Sequence, residues 1–352
     1  MGEDTAFMRR CLHLARKGLG TAAPNPMVGC VIAYRGKVIG EGWHRCAGLP
    51  HAEANAISAV SDRSLLRKST LYVNLEPCVH YGKTPPCADL IIASGIPQVV
   101  IAMRDPFVKV DGRGIQKLQN AGIEVTVGTL EAAALELNKR FLTFHQKKRP
   151  YIILKWAQTR DGFIDKVRDT AEIRQNWISN PQSKQLVHRW RSQEQAILVG
   201  THTIRHDNPK LTTRLWDGAN PLRVVLDRNL EIDHRAAVFS TDAHTLVFTE
   251  KKACPKRNDT AFIQTQFKSD LIEKVLAELY ARSIQSIAIE GGRFTIDRFI
   301  SKNLWDEARI FIGDKRFKDG LKAPGLNGNL IAEYLIQSDI VRIYKPIATG
   351  IK

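Results

Sequence analysis

The chain has 352 residues, 43% of them hydrophobic and 25% charged, which is the balance of a folded protein with about two domains. Its net charge of +16 is spread along the chain and forms no aromatic-interleaved basic stripe, so we expect solvated surface and anion pockets rather than nucleic-acid binding. No apolar run reaches the ~18 residues that span a bilayer, and no membrane association is expected.

The N-terminal stretch GEDTAFMRRCLHLARKG predicts an amphipathic helix rather than a signal peptide, because acidic residues precede its basic pair. The six cysteines could form three disulfides, but a chain of this length needs none in order to fold. We therefore expect a cytoplasmic protein whose cysteines are packing residues, free thiols or metal ligands.

Strand and helix patterns alternate through the first part of the chain, which is typical of an α/β layer fold. Arg35-Gly36 joins a predicted hairpin formed by VGCVIAYRG and KVIGEGWH. Further strands are predicted at TLYVNLEP, QVVIAMRD and IEVTVG. Helices are predicted at HAEANAISAV, PCADLIIASG and GIQKLQNAG, followed by one long helix over LEAAALELNKRFLTFHQ.

A domain boundary is predicted at about residue 147, where the charged and proline-containing KKRP precedes the apolar YIILKWA. The alternation then restarts, with strands predicted at YIILKWA, AILVG, LRVVLD, HTLVFT and SIQSIAI. Helices are predicted at NPQSKQLVHRWRS and SDLIEKVLAELYARS, and after the glycine pair that follows the last of these strands. The sequence thus predicts two α/β domains, residues 1–147 and 148–352.

One histidine and two cysteines in the first domain are candidate metal ligands. Glu53 follows His51 in His-Ala-Glu, and Cys78 and Cys87 each follow a proline. Zinc-dependent nucleobase deaminases use H-x-E followed by P-C-x-x-C, in which the His and both Cys bind zinc and the Glu transfers protons. The chain departs from that pattern, because eight residues rather than two separate its cysteines.

Each of these four residues, taken alone, is better explained by packing or helix entry. Together with the two prolines they favour a zinc site in which His51, Cys78 and Cys87 are the ligands and the fourth position stays open. Cys87 begins a predicted helix, where the helix dipole favours a thiolate. Glu53 is then the predicted catalytic acid/base, and its removal should leave zinc bound and turnover lost.

The segments PNPMVGCVI, HAEANAI and PCVHYGKTPPC resemble the riboflavin-biosynthesis bifunctional deaminase/reductase family. In that family the loop between the cysteines is long and holds a G-x-TPPC element, present here as GKTPPC. The resemblance implies a cytidine-deaminase-like three-layer α/β/α domain fused to a dihydrofolate-reductase-like α/β domain. It covers nearly the whole chain and is weaker in the second half.

The resemblance also implies two consecutive reactions. A zinc-dependent deamination of 2,5-diamino-6-(5-phosphoribosylamino)pyrimidinone would be followed by NADPH-dependent reduction of the ribosyl chain to ribityl. The implied cofactors are therefore Zn²⁺ and NADPH, and the implied substrate is a phosphorylated pyrimidine. Asn25, in PNPMVG, is implied to line the deaminase pocket, while His44 and His80 are weighed as substrate contacts or surface residues. The sequence does not fix the oligomeric state, and a homo-oligomer stays open.

For the second domain the resemblance assigns two groups of residues. The group implied to contact NADPH comprises Ala157, Trp177, Thr203, Asp207, Gly291 and Gly292. The group implied to contact the substrate comprises Arg191, Leu211, Arg214 and Glu290. Arginine binds a phosphate bidentately, which agrees with the second group. Without the resemblance, each arginine would be read as a solvated side chain and the glycine pair as a turn.

Four positions depart from the family's pattern in the second half: Thr159, Arg160, Gln175 and Arg293. They keep open the alternative of a deaminase whose reductase half is inactive. A tRNA deaminase would share the zinc motif, although the long cysteine spacing and the lack of an RNA-binding pattern oppose it. A zinc-stabilised scaffold is the third alternative, and it leaves the carboxyl of Glu53 without a use.

Overall fold

The computed structural model of the chain describes residues 2–81, 85–107, 110–167, 176–252 and 255–347. It divides into two compact units, Met1–Lys148 and Arg149–Lys352. Gln175 and residues 82–84 of the loop between the two cysteines lie outside the described residues.

The first unit alternates helices and strands, as the sequence predicts. Its helices are α1 (Glu3–Arg16), α2 (Ala52–Ser58), α3 (Cys87–Ala93), α4 (Arg113–Asn120), α5 (Glu131–Leu137) and α6 (Lys139–Lys147). Its strands are β1 (Gly29–Tyr34), β2 (Lys37–Trp43), β3 (Thr70–Val73), β4 (Gln98–Ile101) and β5 (Glu124–Val127). The hairpin between β1 and β2 turns at Arg35 and Gly36, whose φ angles of 47° and 72° suit a two-residue turn.

The five strands form one sheet in the order β2-β1-β3-β4-β5, with β1 antiparallel to both neighbours and β3, β4 and β5 parallel. A Cβ at Gly29 in β1 would lie 2.1 Å from a backbone oxygen of α1, and one at Gly42 in β2 would lie 2.5 Å from a side chain of α2. Gly42 pairs with Cys30, the residue after Gly29, so the two helices lie on opposite faces of the sheet. This confirms the predicted α/β/α layers.

The predicted long helix over residues 130–146 is wrong in one respect, because it divides into α5 and α6 at Asn138. The Asn138 side chain is buried and pairs with the backbone of Met27, accepting from its N–H at 2.9 Å and donating to its carbonyl at 3.0 Å. This partner is 111 residues away in sequence, so helical periodicity alone could not indicate the break.

The described residues of the second unit form eleven strands and four α-helices. The strands are β6 (Tyr151–Thr159), β7 (Phe163–Asp165), β8 (Ala196–Gly200), β9 (Leu222–Leu226), β10 (Thr245–Thr249), β11 (Thr260–Gln264), β12 (Ser286–Ile289), β13 (Glu307–Gly313), β14 (Leu321–Lys322), β15 (Gly328–Ile336) and β16 (Asp339–Pro346), of which β7 and β14 form a separate ribbon. The helices are α7 (Pro181–Arg191), α8 (Thr201–Asp207), α9 (Leu271–Ala281) and α10 (Arg293–Ser301).

The main sheet of this unit has nine strands in the order β11-β10-β9-β8-β12-β6-β13-β16-β15. The first seven in this order are parallel, whereas β16 and β15 are antiparallel to their neighbours. In a parallel sheet the carboxyl ends of the strands share one edge, where ligands bind. The residues that follow β8, β9 and β12 therefore come together at one edge of this sheet.

Among the helices of the described residues, none has both the length and the apolarity needed to cross a bilayer.

Candidate active sites

Two helix starts and one loop of the first unit bring three metal-binding side chains together. His51 directly precedes α2, Cys87 is the first residue of α3, and Cys78 lies in the loop that leaves β3. His51 Nδ1 is 3.3 Å from Cys87 Sγ and 3.6 Å from Cys78 Sγ. Because α2 and α3 pack against each other, residues distant in sequence meet at their N-terminal ends.

The chemistry of these donors fits a zinc ion. One imidazole nitrogen and two thiol sulfurs all lie within 4.8 Å of one another, and zinc prefers nitrogen and sulfur ligands. The Cys87 thiol and the His51 ring, which hydrogen-bond to Cys78, lower the pKa of the Cys78 thiol to about 4. A thiolate is the form of cysteine that binds a metal. Three protein ligands leave a fourth position of the tetrahedron open, as in catalytic sites.

A carboxyl group lies beside these donors. Glu53 is in the first turn of α2, and only 3% of its surface is exposed. Burial, with the Cys78 sulfur next to it, raises the pKa of Glu53 to about 6. The carboxyl therefore exchanges a proton near neutral pH, as a general acid/base requires.

A cavity of about 440 Å³ opens beside two of the three donors, His51 and Cys78, and its lining also includes Asn25 and Glu53. Asn25 Nδ2 lies 3.0 Å from His44 Nε2, and His44 Nδ1 lies 3.2 Å from the Pro50 carbonyl oxygen. Since only His44 Nδ1–H can donate to that carbonyl, His44 Nε2 accepts from Asn25. The Asn25 amide nitrogen is therefore engaged by His44, and its Oδ1 is the acceptor of this side chain.

Three further residues line this cavity without having been singled out from the sequence: Asp105, Phe107 and His145. Burial raises the pKa of Asp105 to about 6 and lowers the pKa of His145. The rings of Phe107 and His145 have centroids 4.9 Å apart and form an aromatic wall. Asp105 lies four residues after β4, beyond the carboxyl end of that strand, where ligand-contacting residues of an α/β sheet are expected. His145 belongs to α6, which is far away in sequence, and no local pattern marks it.

A buried carboxylate holds the loop that carries Asp105. Glu76 accepts hydrogen bonds from the backbone N–H groups of Asp105, Gly112, Gly114 and Ile115, at 2.8 to 3.2 Å. Two of these donors belong to the first turn of α4, where a negative charge also interacts favourably with the helix dipole. The Glu76-Pro77-Cys78 sequence thus connects Cys78 to the loop that carries Asp105, and both residues line the cavity.

The second unit has a cavity of about 730 Å³ at the carboxyl ends of its parallel strands. Its lining includes Gly200, Thr203, Arg228, Gly292 and Arg293. The Gly292 N–H donates to Thr203 Oγ1 at 2.8 Å, which ties the residues after β12 to α8. A Cβ at the preceding Gly291 would lie 2.5 Å from Val199 Cα, so Gly291 is required for packing against β8.

Glu290, directly before this glycine pair, is the centre of a buried ion cluster. Its carboxylate accepts from Arg191 Nε at 3.0 Å and from Arg191 Nη2 at 2.7 Å, and it lies 3.8 Å from Lys155 Nζ. Burial acts to raise the pKa of Glu290, but the charges of Arg191 and Lys155 outweigh it and lower that pKa to about 2. Lys155 was not singled out from the sequence, although it is the one charged residue within the apolar run YIILKWA.

The remaining residues of the two implied groups are spread around these features. Leu211 is buried, and Arg214 interacts electrostatically with Arg191. Trp177 is 46% exposed, and its ring lies under Lys184 Nζ at 3.7 Å. Of the cofactor group, Thr203 and Gly292 line the large cavity, whereas its described lining includes neither the other four members nor any member of the substrate group. The four are Ala157, Trp177, Asp207 and Gly291.

Comparison with known proteins shows which family the chain resembles. A model of the cytidine and deoxycytidylate deaminase zinc-binding region matches residues 1–103, and a model of the RibD C-terminal domain matches residues 150–316. The riboflavin biosynthesis protein RibD of Aquifex aeolicus is 39% identical over 336 residues, which are 94% of this chain and 93% of the relative. The chain belongs to the RibD family. RibD of Synechocystis sp. is also 39% identical, over 96% of this chain and 91% of its own length.

The fold of the chain is also similar to that of a solved structure from the same family. The diaminohydroxyphosphoribosylaminopyrimidine deaminase/5-amino-6-(5-phosphoribosylamino)uracil reductase of Thermotoga maritima is 37% identical, with a TM-score of 0.89 over 98% of this chain and 99% of its own. The expectation of a bifunctional enzyme of riboflavin biosynthesis is thereby confirmed. The chain combines a zinc-binding deaminase domain with an NADPH-using reductase domain.

Proposed function

We propose that the first unit deaminates a phosphorylated diaminopyrimidine and that the second unit reduces the ribosyl chain of the product to a ribityl chain. The convergence of His51, Cys78 and Cys87 beside the buried Glu53 carries this proposal. The Thermotoga relative, which aligns over 98% of this chain and 99% of its own, is named for a deaminase and a reductase acting on compounds of this class.

His51, Cys78 and Cys87 would hold the zinc ion. When bound, zinc would act as a Lewis acid and lower the pKa of a water molecule toward ~7. Glu53 would take one proton from the attacking water and give it to the ring nitrogen as the new C–O bond forms. It would then take the proton of the new hydroxyl group and give it to the amino group, whose C–N bond breaks so that ammonia leaves. The raised pKa of Glu53 supports both transfers near neutral pH. Asn25 lines the same cavity, and its Oδ1 would accept a hydrogen bond from an amino group of the pyrimidine.

In the second unit NADPH would supply the hydride, and the protein would bind the cofactor and the substrate and orient them toward each other. Thr203 and Gly292 line the large cavity and would contact the cofactor. The resemblance assigns the same role to Ala157, Trp177, Asp207 and Gly291. Arg191, Leu211, Arg214 and Glu290 would contact the substrate. The Arg191–Glu290 pair supports this assignment, because a fixed guanidinium offers a directed site for a phosphate or a sugar hydroxyl.

The test is to incubate the zinc-loaded protein with the diaminopyrimidine ribotide and NADPH, and to follow ammonia release and NADPH oxidation together. We expect ammonia release first and NADPH oxidation to depend on it. Ammonia without NADPH oxidation would contradict the second half of the proposal. Zinc binding without either signal would contradict both halves, and deamination of tRNA instead would identify another substrate.

We also propose that the protein acts as a homo-oligomer in the cytoplasm. The edge strand β15 supports an oligomer, because its Leu330, Ile331 and Leu335 are 50%, 49% and 72% exposed, and an exposed apolar edge strand is a pairing surface. Light scattering should give a mass above 39.5 kDa, and Leu335→Glu should lower it. A monomer at micromolar concentration would contradict this proposal.

A further inference from the structure

One wall of the deaminase cavity is made of aromatic rings. His80, Phe107 and His145 line this cavity. The centroid of the Phe107 ring lies 4.9 Å from that of His145 and 6.1 Å from that of His80. The His145 ring also packs against Phe141 and Phe144 of its own helix α6, with centroids 4.4 and 5.3 Å away. Three phenylalanine rings therefore hold the imidazole of His145 in place at the cavity wall.

The polar atoms of His145 have no partner among the described residues. Its side chain forms neither a hydrogen bond nor an ion pair with any of them. Burial, with the charge of Lys148, lowers the pKa of His145, so the ring is uncharged at neutral pH. One of its nitrogens is then a hydrogen-bond donor and the other an acceptor. A polar ring held between apolar rings needs a partner from outside the chain, either water or a ligand.

Other polar side chains of the same cavity are already bonded within the protein. Both ring nitrogens of His44 have partners, which are the Asn25 amide and a backbone carbonyl. Glu76 accepts from four backbone N–H groups, and one oxygen of Asp105 accepts from a backbone N–H at 2.8 Å. These groups fix the shape of the cavity, whereas both nitrogens of His145 are available to a ligand.

This wall belongs to the outer part of the cavity. Glu53, beside the zinc donors, is only 3% exposed. Phe107 and His145 are partly exposed, and His80 is exposed. In the diaminopyrimidine ribotide the amino group that leaves is bound to C2, and the ribosylamino group is bound to C6. With C2 at the zinc-binding end, the sugar extends toward the outer part of the cavity, so the ribosyl chain is the part of the substrate that this wall would contact.

We propose that His145 is a specificity-determining residue of the deaminase site, where it hydrogen-bonds a hydroxyl group of the substrate's ribosyl chain. The proposal rests on the function proposed above and deepens it, because it takes the ribotide as the substrate of the first unit. An uncharged imidazole and a hydroxyl group can each donate and accept, so they are matched partners. The Phe107 ring beside His145 offers apolar surface to the carbon atoms of the sugar. Aromatic walls with a few polar groups that fix orientation are typical of small-molecule sites.

The test measures ammonia release by the complete zinc-loaded chain with two substrates, the ribotide and the free base 2,5,6-triaminopyrimidin-4-one, which lacks the sugar. His145→Phe keeps an aromatic ring among the phenylalanines and removes both nitrogens. One neutral hydrogen bond corresponds to about 3- to 10-fold in affinity. We expect His145→Phe to raise the KM for the ribotide by about that factor, with kcat within about twofold. The kcat/KM for the free base should stay within about twofold of that of the unaltered protein.

Further variants separate a hydrogen bond from a structural effect. His145→Asn and His145→Gln place an amide near the positions of Nδ1 and Nε2, and one of them should recover most of the loss with the ribotide. His13→Phe makes the same change at an exposed histidine of α1 and should leave both substrates unaffected. A zinc content of one ion per chain shows that the first unit is intact. If His145→Phe binds less zinc, His145→Met takes its place in the comparison.

The riboside, which lacks the phosphate, distinguishes the sugar from the phosphate as the group that is bound. With His145→Phe its KM should rise by the same factor as that of the ribotide. A loss confined to the ribotide would place the contact at the phosphate and overturn the inference. An equal loss with the free base, or no loss with either substrate, would also overturn it. Ammonia release by the unaltered protein tests the proposed function separately, so each of these results leaves that function standing.

Discussion

Two buried carboxyl groups, Glu53 and Glu290, show how neighbouring charges decide what a side chain can do. Burial raises the pKa of Glu53 to about 6, and the Cys78 sulfur adds to this effect. Burial acts on Glu290 in the same direction, but the charges of Arg191 and Lys155 lower its pKa to about 2. Glu53 is therefore suited to exchange protons near neutral pH, whereas Glu290 stays an anion that fixes the position of cations.

Replacing Glu53 by Gln keeps the shape of the side chain and removes its ability to carry a proton. We expect ammonia release to fall by about 10²- to 10⁴-fold, which is the usual contribution of a general acid/base. Zinc should remain bound at one ion per chain, because Glu53 is not one of the three clustered donors. Metal analysis and an ammonia assay on the same sample check this. Retained zinc is the folding control for the first unit, and unchanged NADPH oxidation with the deaminated substrate shows that the second unit is unaffected. Loss of zinc from Glu53→Gln would contradict the expectation.

Replacing Glu290 by Gln would leave two buried cations without their counter-charge. The side chains of Arg191 and Lys155 are only 12% and 18% exposed, so solvent compensates little. We expect the free energy of unfolding of this unit to fall by about 3 kcal/mol, measured by urea denaturation. Glu333→Gln is the matched control, because its pair with Arg342 is exposed and should contribute below about 1 kcal/mol. Equal losses in the two variants would refute the argument.

At the scale of elements, the sequence predicted best where a local rule was sufficient. The β1–β2 hairpin follows from Arg35-Gly36, and α3 follows from the proline before Cys87. Strands β13, β15 and β16 and helix α8 were not predicted. The pattern in β15 is weak because most of its side chains are exposed despite being apolar, so no alternation marks a buried face. Where an element is stabilised by residues far away in sequence, its own sequence shows little of the periodic pattern that predicts a helix or strand.

Asn138 is the clearest case of such a distant partner, since it divides α5 from α6 by binding Met27. In Asn138→Ala the buried Met27 N–H loses its acceptor, while its carbonyl keeps a bond from Asn74. We expect the free energy of unfolding to fall by about 2–3 kcal/mol, measured from the urea midpoint of the first unit's transition. Asn120→Ala, at the exposed end of α4, should change it by less than about 0.5 kcal/mol. A neutral Asn138→Ala would mean that the pairing is dispensable.

At the scale of the whole molecule, the two sites differ in how many of their residues could be predicted from the sequence alone. The zinc ligands and Glu53 form a motif with a chemical rationale, so their grouping could be predicted from residue types and spacing. The residues of the second unit were reached only through resemblance, because a lone arginine or glycine pair has too many ordinary explanations. Sequence reasoning missed Lys155, Asp105 and His145. Each of them contacts a site through residues that are far away in sequence, so no local pattern indicates its role.

The two proposed reactions belong to different units, and this leads to a prediction about removal of the metal. Each unit has its own apolar core, and the three zinc donors belong to the first unit, whereas Glu290, Arg191 and Lys155 belong to the second. Dialysis against a chelator should therefore abolish ammonia release. NADPH oxidation with the deaminated ribotide should remain within about twofold, because no residue of that cluster depends on the metal.

Adding back one equivalent of Zn²⁺ should restore ammonia release, which separates loss of metal from irreversible unfolding. The apo protein should also unfold at a lower temperature in its first transition alone, because a bound metal stabilises only the unit that holds its ligands. Differential scanning calorimetry with and without Zn²⁺ measures both transitions in one sample. If chelation shifted the second transition as much as the first, or stopped both reactions together, the units would not be independent in stability and chemistry.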